Sequence, residues 1–441
     1  MKGKMTPMER RWVLYDVGNS AFTLLVSTLI PIFFTALSEG AGVSSNDSLA
    51  YWGYATSIAT VLVALLGPTL GCLSDLRGAK RRIFTAALAV GAVCCAVLGF
   101  VQHWMWFLVL FVLAKAAYSL SLVVYDSMLC DVSVRERMDE VSSRGYAWGY
   151  IGSCAPFLVC LALYLCAEVF DVLPMYTATV LIFLVIAVWW VGCSLPLLFR
   201  YRQTHFVESG GRPVRTGMKN LARVFSELKQ NKKVLFFLLA FFFFIDGVYT
   251  IIDMATAYGT SLGLDTTWLL LALLVTQIVA FPAAILLGML SRKVGPERLI
   301  ALCIVAYFCI TVYAIFLDKQ YEFWILAVGV GLFQGTIQAM SRSYFAKIIP
   351  HEKSGEYFGI YDIFGKGAAF MGTMLVSVVT QVSGSQNIGV GALAVMFVIG
   401  FVFFLIAVRC KAPAHSYAAI TAPVRVGELS EAPAGQEGES D

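Results

Sequence analysis

Seven ionisable side chains stand inside long apolar runs of this 441-residue chain: Asp16, Lys115, Asp126, Asp246, Asp253, Asp362 and Lys366. A charge at bilayer depth costs about 2.5–3.5 kcal/mol on insertion scales, so it normally faces a cavity or a partner. A carboxylate placed there can bind a solute's ammonium group or carry a coupling proton, and a lysine can take a solute's carboxylate. Four of the acids share a local pattern: Tyr15-Asp16, Tyr125-Asp126, Tyr361-Asp362 and Ile245-Asp246. Asp246 is about a dozen residues into its run, about 18 Å along a helix, which places it near mid-membrane. Asp253 lies two turns further on the same face. Asn19 shares the face of Asp16. Asp362 and Lys366 are spaced i, i+4 with the acid first, the favourable order for an intrahelical pair, and read mainly as structural. Gln334 and Gln338 repeat that spacing; amides suit bonds to a solute, or interhelical bonds worth about 1 kcal/mol. A structural alternative stays open for each charge: Asp246 and Asp253 as caps at a helix break near Gly247, and Lys115 as the neutralising partner of Asp246 or Asp16.

The elements that must position these groups follow from composition. The chain is 59% hydrophobic and 14% charged, against about half and a quarter in soluble domains. Apolar runs near 12–37, 49–72, 83–102, 105–129, 146–166, 175–199, 234–261, 267–290, 299–317, 323–341, 357–382 and 388–408 are long enough to span hydrocarbon. The expected fold is an all-α polytopic membrane protein of twelve transmembrane helices. Thr6-Pro-Met-Glu9 has the form of a capping box with proline at the first helical position, so the first helix begins in the interface. Lysine and arginine collect in one set of loops, with both termini, while the opposite loops hold Lys319 and little else. That bias predicts cytoplasmic termini and an even number of crossings. The expected organisation is a six-helix half over 1–199, a basic cytoplasmic linker over 200–233, a second half over 234–408 and a disordered tail over 409–441. The eleven cysteines form no CxxC pair and read as free thiols. All four histidines fall in loops or the tail, which removes the usual intramembrane metal or proton-relay histidines, and no P-loop or HExxH occurs, so neither an ATP-driven pump nor a zinc protease is expected. No cofactor, metal or nucleic acid is implied.

Two cytoplasmic turns echo one another. "GCLSDLRGAKRRI" starts at Gly71 and "GMLSRKVGPERLI" at Gly288, a separation of 217 residues (288 − 71), close to half the chain. "RGYAWGY" and "SGEYFGIY" form a second echo, matching Gly145 and Gly149 to Gly355 and Gly359. Such internal repeats mark transporters that rock two halves around a central site.

"GCLSDLRGAKRR" resembles the helix 2–3 signature of the major facilitator superfamily through Gly71, Asp75, Gly78 and Lys80–Arg82; it departs at Leu76, where an arginine is common, with Arg77 next door. More specifically, "WVLYDVGNSAF", "SSRGYAWGYIGS", "FFFIDGVYTI", "QIVAFPAAILLGMLSRKVG", "GTIQAMSRSYFAKIIP" and "GEYFGIYDIFGKGAAFMG" resemble, in order, segments of the "unknown major facilitator" family, whose best-described members resemble the vacuolar amino-acid effluxer of autophagy. The resemblance implies a major facilitator fold of two pseudo-symmetric halves with helices one, four, seven and ten lining a central cavity. It implies a secondary transporter working by alternating access, not an enzyme, and points only weakly to amino-acid export. On this reading Asp246, Asp253, Lys115, Asp16, Asn19, Asp126, Gln334 and Gln338 form the solute- or proton-binding set, with a Lys115–Asp246 pair suited to a zwitterion. Gly71, Asp75, Arg77, Gly78, Arg342, Asp362 and Lys366 form the gating set, Asp75 sitting at the positive start of helix eleven near Ser354 and Gly355. The partners implied are a small solute, a proton or other coupling ion, and the bilayer of a plasma, inner or vacuolar membrane around a monomer. Two other classes stand beside it: a transporter of another small metabolite or drug-like solute, and a non-transporting receptor or scaffold on the same fold.

Overall fold

The computed structural model describes residues 4–208, 228–261, 266–317 and 319–410. Residues 411–441 of the tail expected to be disordered, and most of the basic linker, lie outside the described residues; Arg409, placed in that tail, instead ends the last helix. Among the described residues, twelve helices are long and apolar enough to cross a membrane. They are α1 (Pro7–Gly40), α2 (Asp47–Ser74), α3 (Ala79–Leu98), α4 (Trp104–Val132), α5 (Met138–Glu168), α6 (Met175–Arg200), α7 (Lys232–Ala255), α8 (Leu271–Val294), α9 (Pro296–Ala314), α10 (Gln320–Ile348), α11 (His351–Ser383) and α12 (Gln386–Arg409).

Local chemistry sets the ends. At the start of α1, Thr6 Oγ1 accepts the Glu9 N–H (3.2 Å) and Glu9 Oε2 accepts the Thr6 N–H (2.7 Å), a reciprocal cap ahead of Pro7. The same helix breaks at Thr28, because Pro31 lacks an N–H and its ring clashes with the carbonyl four residues back. Gly78 opens α3 with φ +70°, the left-handed turn that lets the chain reverse between α2 and α3. The helix break expected near Gly247 is absent: α7 runs through it, and Gly247 instead gives room to the Phe397 ring of α12.

Packing shows the internal symmetry. In the first half α1 packs on α5 and α6, α2 on α4, and α3 on α4 and α6; in the second, α7 packs on α11 and α12, α8 on α10, and α9 on α10 and α12. Adding six to each label maps one set onto the other. The halves meet along α2–α11 and α5–α8, which exchange under the same operation. Small residues make these seams close: a Cβ on Gly359 would lie 2.7 Å from the Pro68 Cα, and Gly288 sits directly on Ser143. Gly149 likewise admits Ser20, so α5 lies tight against α1.

The starts of α1, α3, α5, α7, α9 and α11 and the ends of the other six share one side. We call it the basic end.

Candidate functional site

Cross-half polar contacts cluster at the basic end, and Arg342 is the largest of them. It projects from the last two turns of α10 into the first half and is fully buried. Its Nη1 meets Asp126 at 2.9 Å and its Nη2 meets Asp16 at 3.2 Å. Nε donates to Ser142 Oγ (3.0 Å), and Nη2 also donates to the Ser142 carbonyl (3.1 Å). Aromatic rings complete the cage: the guanidinium carbon stands 4.4 Å from the Tyr146 centroid and 4.6 Å from that of Trp12. Trp12 stacks on Tyr125 at 4.5 Å, and each also bonds the other's backbone. The planar fork and the flat face are properties of arginine that lysine lacks. Asn19 Nδ2 donates to Asp16 (3.2 Å) and so belongs to the same cage.

Asp16, Asn19 and Asp126, expected in the solute- or proton-binding set with Asp16 toward the inner gate, stand together in this cage. Their polar atoms are turned toward Arg342 because α5 presents Gly145 there; a Cβ at Gly145 would collide with the Asp16 carboxylate and sit 3.0 Å from Arg342 Nη2.

A second set of contacts ties α2 to α11. Asp75 accepts the Gly355 N–H (2.7 Å) and the Glu356 N–H (2.9 Å), two of the orphan donors at the start of α11. Burial pushes the Asp75 carboxyl up to about 7, against the pull of Lys80 and the two backbone N–H groups. Lys80, also fully buried, stands 4.0 Å from Asp75, donates to Ser354 Oγ (2.9 Å) and pairs with Asp131 (3.1 Å). Asp131 is a hub that the sequence reading did not single out. It accepts from the Tyr201 hydroxyl, from Thr204 N (3.2 Å) and Oγ1 (2.8 Å), and from the His205 backbone (2.9 Å). The first residues of the linker therefore form a strap across the α2–α3 turn, where Val207 N also donates to the Asp75 carbonyl (2.8 Å). A third set joins α5 to α8 and α10: Asp139 takes Lys347 (2.6 Å) and Ser343 (2.7 Å), and Glu140 takes Arg292.

Arg77 does not join these contacts; its guanidinium lies over the Phe206 ring at 5.4 Å. Asp362 and Lys366 make no ion pair to these groups; they pair with each other at 2.6 Å within α11.

Further from the basic end, Lys115 of α4 lies within electrostatic reach of Asp253 of α7 and of Lys366 of α11, both in the other half. The expected Lys115–Asp246 pair is not formed. Lys115 lies over the Phe111 ring at 5.7 Å, and Asp253 is exposed. Asp246 is fully buried against Gly372 of α11, accepts from Thr250 at 3.4 Å, and has no partner for its Oδ2. One helical face carries both acids, but packing of α11 at Gly372 covers only the first. Gln334 is buried beside Tyr150 and Gln338 is half-buried on the same helix.

Two six-helix halves sealed at one end, with charge between them at mid-depth, define a transporter of the major facilitator superfamily. The structure matches, at a TM-score of 0.69 and 15% identity, a bacterial homologue of the iron transporter ferroportin in its outward-facing state, over 91% of this chain and 98% of that one. It matches the superfamily transporter FucP in its outward conformation at 0.68 and 14%, with the same coverage. In sequence, residues 47–414 match the model of the family described as vacuole effluxer Atg22 like, and the chain belongs to that family. It is 39% identical over 407 residues to the uncharacterized MFS-type transporter YxiO of Bacillus subtilis, covering 91% of this chain and 95% of the relative. It is 25% identical over 435 residues to autophagy-related protein 22 of Eremothecium gossypii, covering 84% of each.

Proposed function

We propose that the chain is a secondary active transporter of a small zwitterionic solute of the amino-acid class, working as a monomer by rocker-switch exchange between a basic-end-closed and a basic-end-open arrangement. The observation that carries this reading is the cross-half set of Lys115, Asp253 and Lys366, with the Asp362 carboxylate on Lys366, standing beyond a sealed end. An amino acid presents a carboxylate and an ammonium, and this set offers partners for both. Arg342, Asp16, Asp126, Asp75 and the Glu140–Arg292 pair form the seal, with Asn19 supporting Asp16. The charge bias of the loops puts the basic end and both termini in the cytoplasm, and the family's description favours export. Asp246, dry and with one oxygen unpartnered, is assigned to the coupling proton.

The test is counterflow of labelled amino acids in proteoliposomes, with and without a pH gradient. Lys115→Met and Asp253→Asn each abolish exchange at unchanged reconstitution. Asp246→Asn retains exchange and loses accumulation driven by the pH gradient. Exchange of every amino acid at wild-type rate in both Lys115→Met and Asp253→Asn refutes the zwitterion site.

A further inference from the structure

A groove on the outer surface of the bundle, at the junction of the α2–α3 turn, the first turns of α3 and the linker strap, is lined by Arg77, Arg81, Arg82 and Arg202 together with Gln203 and Phe206. All four arginines are exposed, and among the described residues no carboxylate pairs with any of them. Two acids that border this turn are turned inward: Asp75 is spent on the start of α11, and Asp131 on Lys80 and the strap; Glu208, exposed at the end of the strap, makes no ion pair with the four arginines. Four guanidinium groups thus stand around one hollow with no ion-paired carboxylate among the described residues. Like charges so placed repel unless an anion sits among them.

The floor of the hollow is fixed. Gln203 accepts the Gly78 N–H (3.0 Å) and donates to the Ser74 carbonyl (3.1 Å), while Arg77 lies over Phe206, so the strap and the helical turn act as one wall. The opposite wall is apolar. Ala86 and Ala89 line the groove, and beyond them Val90, Val93 and Val97 are exposed along the same face of α3, at helical spacing, with exposed Phe100 just past its end, running away from the basic end toward the middle and far side of the membrane. A cationic hollow at the interface that opens onto a continuous apolar track has the polarity of one kind of molecule.

We propose that this groove is a binding site for an anionic phospholipid. The headgroup phosphate sits among Arg81, Arg82 and Arg202, which suit bidentate contact with phosphate oxygens, and an acyl chain lies along α3. The site is independent of the solute pathway and does not depend on what is transported.

The test uses the full chain in non-ionic detergent, with native mass spectrometry of added phosphatidylglycerol or phosphatidylcholine. The wild type retains one phosphatidylglycerol in preference to phosphatidylcholine. With each guanidinium near a headgroup worth about fivefold, the triple variant Arg81→Ala/Arg82→Ala/Arg202→Ala binds about a hundredfold more weakly at low salt. The equally basic pair at the start of α1, changed as Arg10→Ala/Arg11→Ala, leaves retention unaltered. The corresponding lysine triple keeps charge and fold and recovers at least about tenfold over the alanine triple. Equal retention by wild type and alanine triple, failure of the lysine triple to recover binding, or equal binding of phosphatidylcholine each overturns the proposal. Complete displacement of the lipid by millimolar glycerol 3-phosphate also overturns it, assigning the groove to a soluble phosphate ester.

Discussion

Replacing Arg342 by methionine tests the seal where it is best defined. The substitution keeps most of the side-chain length and removes two ion pairs, at 2.9 and 3.2 Å, and the bonds to Ser142. It leaves Asp16, 6% exposed, and Asp126 as neighbouring carboxylates with no cation between them. Removing one partner of a buried ion pair costs about 3–5 kcal/mol, because the remaining charge is stranded. Opening the basic end relieves that cost by rehydrating both acids, so the penalty falls on the closed arrangement alone. The closed-to-open ratio then drops by roughly a hundred- to several-thousandfold. The molecule carries its own reporter. Cys130 is buried at this end, with its Sγ 3.9 Å from the Ala346 carbonyl of the other half. In a variant whose remaining cysteines are replaced, alkylation of Cys130 by a hydrophilic maleimide reads the open population. Arg342→Met raises the rate by at least about a hundredfold until opening saturates. Arg342→Lys, which keeps the charge but loses the fork and the flat stacking face, falls between it and wild type. An unchanged Cys130 rate in an Arg342→Met protein that still melts as the wild type does would show that the cage does not hold the end shut.

The other predictions use the same reporter. Gly355→Val places a side chain into the Gly71 carbonyl and within 2.9 Å of Asp75 Oδ1, so it forces the basic end open and accelerates Cys130 labelling; Gly192→Ala, with nothing within 4 Å, leaves the rate unchanged. Burial lifts the Asp75 carboxyl to about 7 in the closed arrangement, above the ordinary carboxylate value it regains when the turn is exposed. The closed form therefore binds the proton more tightly and gains on the open form as pH falls through about 7, and that gain is lost as pH rises past it. Labelling, corrected for thiolate content, should rise between about pH 6 and about pH 8 in the wild type. Asp75→Ala flattens that dependence and shifts the balance toward open by about 1.5–3 kcal/mol for each of the two bonds lost; identical profiles for the two proteins refute the assignment.

The helix count, the capping box at Thr6 and the two-half repeat are legible in the chain because each rests on local pattern: apolar length, a four-residue signature, a glycine turn repeated half a chain later. Asp75 at the start of α11 is legible for the same reason, since its turn is a compact motif. What could not be read is which distant charges meet. Asp16, Asp126 and Asp246 carry similar dipeptides, yet the first two flank Arg342 and the third packs dry against Gly372. The difference is made by α5 and α11, whose glycines decide which carboxylate has space beside it. Lys115 is likewise placed by depth, not by motif: at mid-helix in α4 it comes within the electrostatic reach of Lys366 and Asp253, while Asp246 is covered by α11 at Gly372. Asp131 carried no signal because its five donors come from a lysine in the signature turn and from a loop beginning seventy residues later. The aromatic cage had one cue, the tryptophan and tyrosine in "WVLYD", which flank the acid they enclose.

The internal repeat extends further than its glycines. Asp75 stands four residues after Gly71, and Arg292 four residues after Gly288, so an acid in one half is replaced by a base in the other. Both act on the start of the helix that the turn packs against. Asp75 bonds the bare N–H groups of α11 directly, which an anion can do because a helix start is its positive end. Arg292 has the wrong sign for that contact, and the opposing helix supplies the missing anion: Glu140, in the first turn of α5, receives Arg292 and is held from its own helix by Arg144 at 2.6 Å. Glu140 thus does for α5 what Asp75 does for α11, and Arg292 anchors it across the seam. The two halves reach one physical solution, an anion at a helix start, from opposite sides. The seal at each seam depends on a carboxylate that becomes exposed when the halves part, while Arg342 reaches from the second half between two carboxylates of the first. The closed end is accordingly held by two symmetric latches at its flanks and one asymmetric bolt at its centre, and the bolt is the one whose removal strands two charges at once.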